Sequence, residues 1–161
     1  MSNTISKEVQ DKLFAKAIAA KDTSYSPYSK FRVGAALLTE DGTIYQGCNI
    51  ENASFGAGIC AERTAYVKAI SEGHNKFVAV AVSTDQDDFV SPCGICRQVV
   101  GKHEVDYLVM HRQFMSEFGP ATLPVYLLKT SGESQLLTLT DLLPHSFALE
   151  QGQKYILDKF K

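Results

Sequence analysis

Three cysteines and one glutamate constrain the fold of this chain more than any other feature. Cys60 stands two residues before Glu62, and Cys93 and Cys96 form a Cys-x-x-Cys pair that directly follows a proline. Each set lies at the predicted start of a helix, where cysteines three residues apart share one face and are favoured as thiolates. We therefore interpret the rest of the chain as the frame of a metal site.

This donor set fits zinc. Three protein ligands are typical of catalytic zinc and leave a fourth position for a water molecule, whose pKa the metal lowers to about 7. Glu62 is well placed to meet that water and shuttle its protons. Three thiolates overcompensate a dication, so a nearby cation is useful, and Arg63 and Arg97 adjoin the two motifs.

The cysteines alone leave other interpretations open. A fourth thiolate from Cys48 would close the site formed by Cys60, Cys93 and Cys96, which describes a non-enzymatic protein with a structural zinc. From the Cys-x-x-Cys pair alone, structural and catalytic zinc are about equally supported. A thioredoxin-like redox pair is less well supported, because it leaves Cys60 unexplained.

Length and charge favour a single domain that acts on a small molecule. The chain has 161 residues and a formal net charge of -2, so it lacks the basic surplus of a nucleic-acid binder. No stretch approaches the roughly 20 apolar residues of a membrane span, and the polar start lacks the apolar core of a signal peptide. We expect a cytoplasmic protein with no membrane or nucleic-acid partner.

Apolar periodicity and turn signals predict a mixed sheet flanked by helices. The predicted order is helix, hairpin, helix, strand, helix, hairpin. The helices are predicted at 6–21 and 61–72, and the strands at 31–38, 44–48, 77–82, 124–129 and 136–139. The strand at 77–82 is almost entirely apolar, as expected for a strand that is buried on both faces.

Further motifs surround the cysteines and extend the pattern. They are SPYSKFRVGAAL at 26–37, GCNIENA at 47–53, ICAERTA at 59–65 and LLPHSF at 142–147. Cys-Ala-Glu followed by Pro-Cys-x-x-Cys is a signature of zinc deaminases, with cysteine in place of the first histidine. Over nearly its whole length the chain resembles the small cytidine deaminases of the cytidine and deoxycytidylate deaminase superfamily.

The resemblance implies both a fold and an activity. The fold is a three-layer α-β-α sandwich around a mixed five-stranded sheet whose last two strands are antiparallel. The activity is zinc-dependent hydrolytic deamination of cytidine and deoxycytidine to uridine and deoxyuridine, with release of ammonia. The family members act in pyrimidine salvage as homotetramers.

The resemblance also assigns roles to individual residues. Zinc is held by Cys60, Cys93 and Cys96, and Glu62 transfers protons. Substrate contacts are implied for Phe31, Asn49, Glu51, the Ala61 backbone and Phe147, the last from a neighbouring subunit. Without the motif, Asn49 and Glu51 would be interpreted as residues that satisfy backbone groups in a turn, and the two phenylalanines as core residues.

One segment departs from the family pattern. Arg97-Gln98 recurs as Arg112-Gln113, and removal of residues 99–113 would restore the ordinary family helix. We predict one domain, residues 1–161, with an insertion at about 99–113 that is either a surface excursion or translated intron sequence. A blasticidin-type antibiotic deaminase is the alternative within the superfamily, and the intact Asn-Ile-Glu-Asn at 49–52 favours a free nucleoside over it.

Overall fold

The computed structural model describes residues 5–90, 115 and 118–142. Within these residues five strands form one sheet: β1 (Val33–Thr39), β2 (Ile44–Cys48), β3 (Phe77–Thr84), β4 (Pro124–Leu128) and β5 (Ser134–Thr138). Their spatial order is β2-β1-β3-β4-β5, with β3 and β4 parallel and the other neighbours antiparallel. The predicted mixed five-stranded sheet with an antiparallel last pair is confirmed.

Helices cover the two faces of the sheet. Helix α1 (Lys7–Ala20) packs Leu13 and Ala17 on one face, and helix α2 (Ala61–Ser71) buries Ala65 and Tyr66 on the other. A short helix, α3 (Leu139–Leu142), follows β5. This arrangement confirms the predicted three layers. In the part of the chain that the structure describes, none of the helices has the length and apolar character needed to cross a membrane.

The helix ends follow the capping signals in the sequence. The Ser6 hydroxyl accepts a hydrogen bond of 3.4 Å from the Val9 amide, and Glu8 lies in the first turn of α1. Gly73 follows α2 with φ 93°, a left-handed conformation that glycine adopts at lower cost than other residues. Both helices therefore begin and end within one residue of their predicted bounds.

The strand bounds differ from the prediction where hydrogen bonds connect distant residues. β1 begins at Val33 instead of residue 31, because the Asn49 side chain accepts from the Val33 amide and donates to the Phe31 carbonyl, each at 2.8 Å. β3 continues past its apolar run to Thr84, which pairs with Val33. β5 begins at Ser134, two residues before the predicted start, because it stays paired with β4.

Two glycines let the helices approach the sheet closely. A Cβ added at Gly34 would lie 2.2 Å from the Ala17 carbonyl oxygen of α1, and one at Gly47 would lie 2.3 Å from the Ala61 carbonyl oxygen of α2. Both distances are far below van der Waals contact. Gly47 therefore determines how closely the first turn of α2 lies against β2.

A group of charged side chains connects the end of α1 to the end of β3. Lys21 is only 8% exposed, and its Nζ donates to the Thr84 carbonyl at 3.0 Å and to Asp85 Oδ1 at 3.2 Å. Arg32 donates to the same carboxylate through Nε at 2.7 Å and Nη2 at 3.1 Å. The Arg32 hydrogen bond is the largest cause that lowers the pKa of Asp85, with Lys21 adding to it and burial opposing it.

We expect Asp85→Asn to lower the free energy of unfolding by about 1 kcal/mol at pH 7, a modest value because the Asp85 side chain is 33% exposed. The folded-state pKa of Asp85 is lowered, so its ionised form contributes stability above the unfolded pKa of about 3.9, and this contribution is lost as the pH falls through the folded pKa. Urea unfolding of both proteins at pH 7, 5 and 3 should therefore show the difference shrinking at pH 3.

The matched control for this experiment is Glu8→Gln, which removes a carboxylate from the exposed pair of Glu8 with Lys12 on α1. We expect a smaller loss of stability than for Asp85→Asn, because both the pair with Lys12 and the first-turn position of Glu8 are exposed to solvent. Equal stability of the wild type and Asp85→Asn at pH 7 would contradict the role given to the buried Lys21 pair.

Candidate active site

Cys60 lies at the N-terminus of α2. It has an extended backbone, with φ -74° and ψ 154°, and its side chain makes no capping hydrogen bond. Its carbonyl instead accepts from the Thr64 amide at 3.0 Å and the Thr64 hydroxyl at 3.2 Å. The start of the helix is therefore stabilised through the backbone, and the thiol is not needed for capping.

A buried carboxyl and a half-buried thiol lie together at this helix end. Glu62 is 5% exposed, and burial raises the pKa of its carboxyl. Burial, followed by the charge of Glu62, raises the pKa of the Cys60 thiol to about 12, and the positive charge of Arg63 acts in the opposite direction. A half-buried thiol beside a buried carboxyl fits a site for a dication such as zinc, with the thiol as a ligand and the carboxyl as its acid–base neighbour.

The loop after β2 is held next to Cys60 by backbone pairing. Ile50 and Ile59 exchange two hydrogen bonds of 2.9 Å, and Ile59 directly precedes Cys60. On the other side, the Tyr25 amide donates to the Asn49 carbonyl at 3.0 Å and the Tyr25 carbonyl accepts from the Glu51 amide at 2.8 Å. Residues 49–51 therefore lie between the loop at residue 25 and the segment that leads into α2.

The Asn49 side chain uses most of its hydrogen-bonding capacity within the protein. Its Oδ1 accepts from the Ser24 hydroxyl at 2.5 Å and the Val33 amide at 2.8 Å, and its Nδ2 donates to the Phe31 carbonyl at 2.8 Å. A carboxamide has two lone pairs and two N–H groups. Among the described residues, one N–H of Asn49 therefore has no partner.

The Glu51 carboxylate is also oriented by its neighbours. Its Oε2 accepts from the amides of Tyr28 at 2.9 Å and Ser29 at 3.2 Å, and its Oε1 accepts from the Ser29 hydroxyl. Ser29 contributes the largest effect that lowers the pKa of Glu51. Since a carboxylate has about four acceptor positions, one position on Oε1 is left open by the described residues.

Several predicted site residues come together and others lie outside the described residues. Half-buried Phe31 is joined to Asn49, and the buried Ala61 stands between Cys60 and Glu62. Within the described ranges, no three His, Cys, Asp or Glu side chains are grouped to hold a metal ion. Four predicted site residues lie outside the described residues: Cys93, Cys96, Arg97 and Phe147. The predicted insertion at 99–113 also lies outside them.

Cys48 lies on the other side of the sheet from α2. It pairs with Gly34, whose missing side chain faces Ala17 of α1, and residues directly opposite in an antiparallel pair project to the same face. Its thiol donates to the Thr23 carbonyl at 3.2 Å, near the end of α1. This placement argues against Cys48 as a fourth ligand beside Cys60.

Sequence reasoning missed Ser24 and Ser29, which orient Asn49 and Glu51. Both lie between the predicted helix at 6–21 and the predicted strand at 31–38, where no element was predicted. The available signal was the run of hydroxyl residues there, because serine in a loop readily bonds to nearby polar groups. Their partners lie more than 20 residues away, however, and local patterns do not identify such pairs.

Known proteins match this chain in sequence and structure. Residues 7–112 match the family model "Cytidine and deoxycytidylate deaminase zinc-binding region". Cytidine deaminase of Sporosarcina psychrophila is 46% identical over 140 residues, which cover 87% of this chain and 92% of that protein. The cytidine deaminase of Halalkalibacterium halodurans is 46% identical over 138 residues, which cover 86% and 93%.

A solved structure gives the same result. The crystal structure of cytidine deaminase from Burkholderia pseudomallei aligns with a TM-score of 0.73 at 39% sequence identity, covering 89% of this chain and 100% of that chain. The fold, the placement of Cys60 and Glu62 at the start of α2, and these matches agree. The chain belongs to the cytidine and deoxycytidylate deaminase family.

Proposed function

We propose that this protein hydrolytically deaminates free cytidine and deoxycytidine to uridine and deoxyuridine with release of ammonia, with zinc held by Cys60, Cys93 and Cys96. The observation that carries the proposal is the pairing of Ile50 with Ile59, which holds a polar loop suited to ribose beside the half-buried thiol of Cys60 and the buried carboxyl of Glu62. A site for a base and its sugar requires both parts to be close together.

Glu62 is the proton carrier in this proposal. When held by Cys60, Cys93 and Cys96, zinc would acidify a water molecule, which would serve as the nucleophile. Glu62 takes the proton of that water at its carboxylate and delivers a proton to ring N3 as oxygen bonds to C4. It then takes the remaining proton from the new C4 hydroxyl, which becomes the carbonyl, and transfers it to the amino group, whose bond to C4 breaks as ammonia leaves. Its burial, which raises the pKa of the carboxyl, suits a group that must both accept and give protons.

Asn49 and Glu51 are proposed to bind the ribose hydroxyls. Asn49 has one N–H remaining and Glu51 one acceptor position, after the bonds each makes with the described residues. A sugar hydroxyl both donates and accepts a hydrogen bond, so this pair complements it. The structural role of Asn49 in shaping the loop is compatible with ligand binding, because the two roles use different atoms.

The remaining contacts complete the proposed pocket. The Ala61 backbone contacts the base, Phe31 lines the pocket, and Phe147 stacks on the base from a neighbouring subunit of a homotetramer. Arg63 and Arg97 offset the excess thiolate charge, and the effect of Arg63 on the pKa of Cys60 has the sign this role requires.

We further propose that residues 1–161 form one domain with an insertion at about 99–113. The protein would act in the cytoplasm, where a reducing environment preserves thiolate ligands.

The proposed activity is tested by following cytidine loss spectrophotometrically, with zinc analysis on the same sample. We expect about one zinc per chain and turnover of cytidine and deoxycytidine, with little turnover of blasticidin S. Full zinc occupancy without turnover of any of these would favour a structural zinc protein, and preference for blasticidin S would favour the antibiotic deaminase.

Replacement of Cys48 by alanine distinguishes a catalytic zinc site with three cysteine ligands from a structural site with four. We expect zinc stoichiometry and kcat to remain at wild-type values, because Cys48 lies on the α1 side of the sheet. Loss of its hydrogen bond to Thr23 should cost at most about 1 kcal/mol of stability. In the matched variant Cys60→Ala, zinc should be lost. Loss of zinc from Cys48→Ala would support the closed structural site.

A further inference from the structure

The Ser29 hydroxyl joins two residues of the proposed nucleoside pocket. Its Oγ donates to Glu51 Oε1 and accepts from the Phe31 amide at 3.0 Å. Lys30, between Ser29 and Phe31, has φ 58°, a left-handed conformation that is uncommon for a residue with a side chain. This turn returns the Phe31 amide to the hydroxyl, so one side chain fixes both the carboxylate and the start of the Phe31 segment.

The hydroxyl acts on the same oxygen that remains open to a ligand. Glu51 Oε2 is occupied by the amides of Tyr28 and Ser29, whereas Oε1 accepts only the Ser29 hydroxyl among the described residues. A serine hydroxyl carries a single hydrogen, and here that hydrogen points to Oε1. Because this bond fixes the orientation of Oε1, the second acceptor position of Oε1 also points in a fixed direction.

We propose that Ser29 is a positioning residue that determines recognition of the sugar by orienting Oε1 of Glu51 toward a ribose hydroxyl. This inference rests on the proposed function. Ser29 does not itself touch the substrate; without its hydroxyl, Glu51 keeps two backbone donors on Oε2 but loses the bond that fixes Oε1. Hydrogen bonds to a charged group are among the stronger ones, so the loss should be measurable in binding.

The test is Ser29→Ala assayed with cytidine and with 2′,3′-dideoxycytidine, which lacks both secondary hydroxyls. We expect kcat/KM for cytidine to fall about tenfold, mainly through a higher KM, and kcat/KM for the dideoxy substrate to change less than about twofold. An equal loss for both substrates, or a loss confined to kcat, would show that Ser29 only supports the loop and would overturn the proposal.

Two further variants separate positioning from folding. Ser29→Thr keeps the hydroxyl and should restore the KM for cytidine. In a Glu51→Gln background, Ser29→Ala should cause little additional loss, because the two changes remove the same contact. The control Ser71→Ala removes an exposed serine hydroxyl at the far end of α2, which donates to the Lys68 carbonyl, and should leave both substrates unaffected. Additive losses in the double variant would contradict the proposal.

Calorimetric binding of uridine and 2′,3′-dideoxyuridine to the same zinc-loaded proteins tests Ser29 without turnover. Ser29→Ala should weaken uridine binding about tenfold and leave the dideoxy compound unchanged. A wild type that binds uridine but does not deaminate cytidine would contradict the proposed function alone. A wild type that binds neither nucleoside would contradict both.

Discussion

Glu62→Gln is expected to lower kcat for cytidine by about 10³-fold while zinc remains bound at about one ion per chain. General acid–base catalysis contributes roughly 10²- to 10⁴-fold, and here one carboxylate is proposed to serve every proton transfer. The amide of glutamine fills the same buried volume but neither accepts nor delivers a proton at neutral pH. Steady-state kinetics and zinc analysis would measure these two consequences, and circular dichroism on the same preparation would check that the fold is retained.

The matched control is Glu72→Gln, the same substitution at the opposite end of α2. Glu72 is exposed and accepts a hydrogen bond of 3.0 Å from the Tyr45 hydroxyl. It lies away from Cys60, so kcat should remain within about twofold of wild type. If Glu62→Gln retained more than a tenth of wild-type turnover with zinc bound, another group would have to carry the protons.

The elements of the fold were predictable because each depends on local sequence. Ser6, Glu8 and Gly73 mark helix ends through capping and backbone conformation, which involve neighbours only a few residues away. The apolar run beginning at Phe77 indicates a strand that is covered on both faces, and β3 has this position in the sheet. Such signals do not require knowledge of the tertiary structure.

The pairings between distant residues were not predictable in this way. Lys21 was predicted only as the end of a helix, yet it is buried because Thr84 and Asp85, more than 60 residues later, accept its hydrogen bonds. Asn49 was predicted either to bind ribose or to satisfy backbone groups. The side-chain carboxamide of Asn49 accepts a hydrogen bond from the Val33 amide and donates one to the Phe31 carbonyl. These bonds fix the start of β1, and one N–H of the carboxamide has no partner among the described residues.

In the candidate site, too, local features were predictable and contacts between distant residues were not. The motif placed Cys60 and Glu62 at the start of a helix, and the structure has both there. It did not indicate how that helix start is held in place. Ile59 pairs with Ile50, and Gly47 lies under the first turn of α2. These contacts depend on how the chain folds back on itself.

Gly47→Ala should therefore damage the site although Gly47 itself has no proposed role in catalysis or in binding zinc or substrate. The added methyl group would lie 2.3 Å from the Ala61 carbonyl oxygen and 2.4 Å from the Ala65 amide nitrogen, so the first turn of α2 must move away from β2. We expect a loss of about 3 kcal/mol in unfolding free energy, since the methyl group meets rigid backbone. Displacement of Cys60 and Glu62 by about 1 Å should lower kcat by about 100-fold.

Gly56→Ala provides the control, because a Cβ at Gly56 meets no described atom within 4 Å. The same methyl group should there change stability by no more than about 1 kcal/mol, and slight stabilisation is expected from the lower entropy of the unfolded chain. Urea unfolding, zinc content and kcat should be measured for both variants. If Gly47→Ala loses stability but keeps wild-type kcat, α2 can shift without moving its catalytic end, and the rigid support inferred for Cys60 and Glu62 is wrong. If zinc content and kcat fall together in folded protein, the close approach of α2 to β2 at Gly47 is what keeps the Cys60 and Glu62 side chains in position.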